Sequence, residues 1–392
     1  MPVNFQEIRL QIKDMGRQAP ERERVLKNKR LIAQELLQTN ASRLEELCAL
    51  VEQATAANNG LRCALPVSET LTHTTSASPL PLPLTLLSAD GSQINPDRHD
   101  AVEFGVINVG AIRLLAGSAQ APQEITRSTL LYGDTLRTAA GGALTEEYVA
   151  LLRDLFERKL LVELAVKEPL PVVTLTDGPL ELFREPNEAP EFQKLFQEYQ
   201  DVLRRLAEQG VVTAGYVDKP RADLVVRLLE LVMPGIELEQ VMRTRPLRFV
   251  TDGDLFQQRL APGERSAVFA IQSSSSRHFK GALALHFFYL NVGRPEHPWL
   301  ARVELPAWVA QDAGLLNLLH AALVTQCQQM GSHPYPYALH RAHEVALVSY
   351  AEKQQLENMI AGEYLRLGIP AGERSQKQTI KDLSGSRTRY TK

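Results

Sequence analysis

Three Asp-Gly pairs follow apolar, strand-like runs: LTLLSADGS at Asp90, PVVTLTDGPL at Asp177 and LRFVTDGDLF at Asp252. A carboxylate fixed where a buried strand breaks into a loop presents a hard oxygen ligand to a divalent cation at the edge of a sheet. The same dipeptide is also a hairpin signal, because glycine supplies positive φ and Asp bonds its own backbone. What surrounds each pair separates the two readings.

Between Asp90 and Asp177 lies TEEYVALLRDLFERKLLVELAVK (145–167), a helix by its apolar spacing, with Thr145 as N-cap and Glu146 and Glu147 in its first turn. Such a helix can aim one Glu back at two strand carboxylates, and Glu157 and Glu163 are the candidates, with Glu157 favoured. Arg153 stands four residues before Glu157, so an ordinary surface ion pair is the competing account. Paired carboxylates of this kind hold two divalent cations about 3.5–4 Å apart around a phosphate. Further on, His340, His343 and Glu344 read H-R-A-H-E, which is not the H-E-x-x-H order of a zinc protease. His343 would complete a carboxylate cluster as its nitrogen ligand, a donor set that suits Mn²⁺ better than Mg²⁺. Asp252 falls beyond this order, within a basic segment, and reads as a turn that starts a loop facing DNA or a second subunit.

The elements that must position these residues are legible in the hydrophobic periodicity. Residues 1–64 form a helical arm, and 65–84, rich in Pro, Ser and Thr, form a linker. The strand ending at Asp90 is followed by strands over 101–117 and 124–133, the helix 145–167 and the strand ending at Asp177. A helix from about 190 to 209, a strand over 211–217 and a helix over about 221–232 come next. Three strands, then helix, strand, helix, strand, helix is the order of a mixed α/β, ribonuclease H-like core. That core, with added strands and helices, spans 85–360, and a basic, flexible tail occupies 361–392. A strand is expected to end at Asp252, followed by two more strands and a helix near 312–330.

Composition narrows the class. The chain of 392 residues, 44% hydrophobic and 23% charged, is long enough for a large core. No stretch approaches the ~20 consecutive apolar residues of a membrane span. MPVNFQEIRLQIKD lacks the continuous apolar region of a signal peptide, so a cytoplasmic location is expected. Cys48, Cys63 and Cys327 are too few and too dispersed for a disulfide framework or a zinc knuckle, and read as buried thiols. Net charge is only −3, yet residues 241–302 carry nine basic side chains against four acidic ones. A polyanion met by part of the surface fits that distribution. There is no G-x-x-x-x-G-K-[ST], so any translocation energy must come from another protein.

Asp90-Gly91-Ser92, Thr176-Asp177-Gly178-Pro179-Leu180, Gly215-Tyr216-Val217, Pro262-Gly263-Glu264-Arg265-Ser266, Arg302-Val303-Glu304-Leu305-Pro306 with Trp308, and Tyr335 with Ala342-His343 occur in this order. The set resembles the NurA nuclease family over about residues 85–350. The resemblance implies a ribonuclease H-like core in a homodimer with a central DNA channel, and manganese-dependent trimming of DNA from the 5′ side with activity on single strands. It also implies a hexameric HerA-type ATPase as partner in DNA-end resection. By motif, the metal site carries over to Asp90, Asp177 and His343, with Tyr335 nearby; the helix carboxylate, Glu157, is not fixed by a distinctive motif.

The expectation is therefore a two-metal phosphodiester hydrolase using Mn²⁺, with Mg²⁺ the other candidate cation. Asp90, Glu157, Asp177 and His343 are its ligands, and Tyr335 contacts the phosphate or a base. Two alternatives compete: a non-catalytic DNA-end or ATPase-binding subunit with a degenerate site, and a phosphatase or other hydrolase of small substrates.

Overall fold

A computed structural model describes residues 4–138, 141–182 and 190–369. In chain order the first elements are α1 (Phe5–Thr39), α2 (Leu44–Ala57), β1 (Cys63–Pro66), β2 (Thr74–Ser76), β3 (Leu84–Ile94), β4 (Gly105–Ala116) and β5 (Gln123–Leu131). They continue with α3 (Glu146–Ala165), β6 (Val172–Asp177), α4 (Pro190–Glu208), β7 (Val212–Asp218), α5 (Leu224–Glu230) and α6 (Asp252–Phe256). The last are β8 (Glu264–Ser266), β9 (Phe269–Gln272), β10 (Leu285–Asn291), β11 (Leu300–Pro306), α7 (Ala307–Ala310), α8 (Ala313–Gln328), α9 (Tyr337–Ala346) and α10 (Tyr350–Arg366). Beyond residue 369, the basic stretch lies outside the described residues. No described helix is long and apolar enough to cross a membrane.

The chain divides into two units. One holds the described residues of Pro81–Asp177, Glu185–Thr213 and Pro336–Lys392. Its strands β3, β4 and β5 form an antiparallel meander, and β6 runs parallel to β3 on the far side. The start of β7 joins β6 through a hydroxyl pair, Thr174 Oγ1 to Thr213 Oγ1 at 2.8 Å. Meander first and helix-crossed strands second is the ribonuclease H-like arrangement. Thr145 caps α3 by accepting from Tyr148 N, and the helix buries Leu155, Leu161 and Val162.

The strand break expected at Asp90 is absent. Asp90 does not end a strand: β3 runs unbroken from Leu84 to Ile94, and Gly91 is an ordinary strand residue in register with Val109. Asp177, by contrast, does close β6, and Gly178 takes φ 82° immediately after it.

The other unit holds the described residues of Met1–Leu80, Gly178–Arg184 and Ala214–Tyr335. Its strand order is β1-β9-β10-β11-β7, and β8 bridges β2 and β10. Phe256, Phe269, Phe287 and Tyr289 pack as one aromatic group with ring centroids 5.1–6.4 Å apart. Cys63 and Cys327 are buried free thiols, each pushed up to about 12 by burial, while Cys48 is half-buried.

No strand runs into Asp252, and the residue is not a turn on a loop. It opens α6, is fully buried, and accepts hydrogen bonds from Val225 N at 3.0 Å, Val226 N at 2.9 Å and the Tyr289 hydroxyl at 2.7 Å. Its carboxylate thus caps the N-terminus of α5, a helix whose own N-cap residue, Asp223, supplies no such bond. Burial pushes its pKa up to about 6.

The basic segment 241–302 is likewise only partly a surface. Arg245 bonds Glu230 and Asp223, Arg265 bonds Glu69, and Arg302 pairs with Glu304. Arg265 and Arg302 are buried. These three cations are committed to structural ion pairs within the unit.

Candidate metal centre

The pairing of β3 with β6 sets the two strand carboxylates side by side. Ala89 is in register with Thr176, so Asp90 and Asp177 are the next residues on neighbouring parallel strands, at one level and directed to one face. Asp177 is exposed, whereas the side chain of Asp90 is 14% exposed. Asp90 Oδ1 accepts Gly91 N at 2.9 Å, and Oδ2 meets His343 Nδ1 at 2.6 Å.

His343 reaches Asp90 because α9 lies directly on the sheet. Ala346 O accepts from Ser92 Oγ at 2.5 Å and from Asn108 Nδ2 at 2.8 Å. Gly110 is the register partner of Asp90, and a Cβ there would stand 2.5 Å from Ala346 N and 2.7 Å from Ala342 O. Only glycine admits the helix backbone at that distance. With Nδ1 tied to the carboxylate, the imidazole keeps its Nε2 edge toward solvent, its side chain 55% exposed.

Glu157 comes from the opposite face, where α3 covers β3. A Cβ on Gly91 would fall 2.8 Å from Glu157 Oε1 and 2.5 Å from Arg153 Cγ. The missing side chain at 91 is the opening through which this carboxylate approaches the strand beside Asp90. Glu157 is 3% exposed, so its pairing with Arg153, Nε to Oε1 3.5 Å, is not a surface ion pair. Burial first, and then the charge of Asp154, push its pKa well above the usual carboxylate range. Arg153 and Arg158 offset this only from 3.5 and 3.8 Å. Glu163, the other helix candidate, points away: it pairs with Lys167 at 3.1 Å and Arg127 at 3.7 Å, and its pKa is lowered, chiefly by Lys167.

His340 and Tyr335 have contacts of their own. His340 faces Glu344 at 3.6 Å, both half exposed. Tyr335 belongs to the other unit, where its ring meets Tyr216 edge-on at 5.3 Å. Sequence reading missed Asp154, although it stands one helical turn before Glu157, and Arg158. The Arg158 guanidinium is buried against Tyr199 at 4.8 Å and donates to Thr176 Oγ1 at 3.3 Å.

A NurA domain matches residues 84–348, two-thirds of the sequence. The chain belongs to the NurA family. No curated protein matches it. The NurA nuclease of Sulfolobus solfataricus is a similar solved structure, at 11% identity over 83% of this chain and 95% of that one, with a TM-score of 0.43. The catalytic domain of human endonuclease V is similar over 83% of this chain and 99% of its own, at 13% identity and a TM-score of 0.34. In this NurA chain the matched span takes in Asp90, Glu157, Asp177 and His343.

The donor set fits a hard divalent cation in its chemistry: carboxylate oxygens, one of them on a buried glutamate, with one imidazole nitrogen. It is not a closed cage. Among the described residues no three His, Cys, Asp or Glu side chains converge tightly enough to hold an ion by themselves.

Proposed function

We propose that this NurA-family protein is a metal-dependent deoxyribonuclease whose site is built from Asp90, Glu157, Asp177 and His343. The observation that carries the reading is the 2.6 Å contact between His343 Nδ1 and Asp90 Oδ2, two residues 253 positions apart that meet beside the β6 carboxylate. Divalent cations, Mn²⁺ or Mg²⁺, would supply two things there: acidification of the attacking water and charge compensation of the leaving oxygen. Asp90 and Asp177 would provide hard oxygens in register, and Glu157 would add a further carboxylate to a bound cation. Asp90 fixes the His343 ring so that Nε2 faces outward, available to a ligand or a proton. The family resemblance implies Tyr335 near the metal site, and we assign it to phosphate or base contact.

The finer activity follows the family. The reading is a 5′-to-3′ exonuclease with endonuclease activity on single strands, working as a homodimer in DNA-end resection with a hexameric HerA-type ATPase. The lack of a P-loop supports an external motor. The test is cleavage of 5′- and 3′-labelled duplex and single strands with Mn²⁺, Mg²⁺ or EDTA, with and without a co-purified ATPase. Metal-dependent shortening from the 5′ end supports the proposal, and inactivity under every condition sinks it. A second reading, a non-catalytic DNA-end or ATPase-binding subunit, is favoured by the open donor set, in which no three described ligands converge. It requires DNA binding without cleavage in the same assay.

A further inference from the structure

Residues 241–250, VMRTRPLRFV, carry three arginines and no acid. Two successive turns shape the end of the segment, Arg248 N to Arg245 O at 3.1 Å and Val250 N to Leu247 O at 3.0 Å. The turns are pinned from below and from both sides. Leu247 and Val250 are each 1% exposed, Arg245 bonds Glu230 Oε2 at 2.8 Å and Asp223 Oδ2 at 2.5 Å, and Lys29 Nζ donates to Arg248 O at 3.4 Å. In this fixed frame Phe249 occupies the third position of the second turn with φ 79° and is 72% exposed.

Both properties run against the residue type. The third position of a turn with positive φ ordinarily takes Gly or Asn, because a Cβ crowds the backbone there. A phenylalanine normally recovers stability by burial, and this one does not. A strained backbone that holds a bulky apolar ring in solvent is a displayed feature. The Arg248 guanidinium lies 4.9 Å from the ring centroid, and Arg243 is exposed nearby in sequence.

We propose that Phe249, with Arg248, is a stacking platform for an unpaired base of single-stranded nucleic acid. A flat apolar face open to solvent takes a base π-face, and the adjoining arginines take the phosphates on either side. A protein partner would ask for a broader apolar patch, and within 241–250 Met242 is the only other exposed large apolar side chain. The platform gains its biological sense from the nuclease reading above, but binding at Phe249 needs no metal.

The test is the affinity of the full-length protein, in EDTA, for fluorescent oligothymidylate and for a blunt duplex. Phe249→Ala should weaken single-strand binding about 5- to 30-fold and duplex binding less than about twofold, and Phe249→Trp should stay within about twofold of the parent. Phe249→Gly should weaken single-strand binding as Ala does while raising Tm by about 2–4 °C, because glycine relieves the left-handed backbone. Unchanged single-strand affinity in Phe249→Ala, equal losses on both substrates, or a loss confined to binding of a protein partner overturns the proposal. Absence of single-strand binding by the parent in EDTA overturns it too, while leaving metal-dependent cleavage to be judged by its own assay.

Discussion

His343 donates through Nδ1 to Asp90 at 2.6 Å, and the helix that carries it rests on the bare backbone of Gly110, the register partner of Asp90. The distance between imidazole and carboxylate is therefore set by a helix-to-sheet approach that a single methyl group would spoil. Gly110→Ala should lift α9, separate the pair and reduce metal-dependent cleavage by about 100-fold or more, since ångström-scale misplacement costs that much. Single-turnover cleavage in Mn²⁺ reads this directly, with circular dichroism confirming that the variant is folded.

Gly91→Ala tests the other face. Its Cβ would meet Glu157 Oε1 at 2.8 Å and Arg153 Cγ at 2.5 Å, so α3 must retreat or Glu157 must turn away. The expected result is a stability loss of about 1–3 kcal/mol from overpacking and weakened Mn²⁺ binding by calorimetry. Unchanged metal binding would detach Glu157 from the site.

Glu230 is fully buried and gathers Arg227 Nη1 at 2.5 Å, Arg245 Nε at 2.8 Å and Leu247 N at 2.8 Å. Glu230→Ala leaves a buried guanidinium uncompensated and should cost about 3–5 kcal/mol in urea unfolding. It should also loosen the turn that displays Phe249.

Two buried groups give opposite pH dependence. Burial lowers His320, bonded to Gly263 O at 2.9 Å, to about 4 from 6.5. The unfolded chain therefore binds the extra proton between those values, and stability falls as pH drops through that window, by up to about 3 kcal/mol. Asp252, raised to about 6 from 3.8, acts in reverse: its contribution is full below pH 3.8 and is lost as pH rises through about 6. Urea unfolding of His320→Phe between pH 4 and 6.5 should lack the histidine's slope and expose the decline with rising pH that Asp252 imposes.

The parts of the fold that local pattern dictates were legible. The meander, the Thr145 cap and the break after Asp177 follow from run length, capping chemistry and a glycine at positive φ. The same Asp-Gly spelling misled at the other two positions, because what determines them is distant in sequence. Gly91 is small to admit Glu157, not to turn the chain, and Asp252 is acidic to cap a helix 26 and 27 residues upstream. Charge counting over 241–302 saw nine cations, but not that Glu230, Glu69 and Glu304 engage Arg245, Arg265 and Arg302. Of the candidate site, Asp90, Asp177 and His343 could be proposed from motif, while only the packing of α3 shows that Glu157 lies against β3 and Glu163 pairs with Lys167.

Asp90 contacts the α9 imidazole at 2.6 Å and stands level with the β6 carboxylate, so it is the residue most central to the proposed site. The most direct measurement is cleavage of end-labelled DNA by Asp90→Asn in Mn²⁺, alongside its melting temperature and its DNA affinity in EDTA. Cleavage should fall to the level seen with EDTA while folding and DNA binding persist. Retained Mn²⁺-dependent cleavage by the folded variant would contradict it.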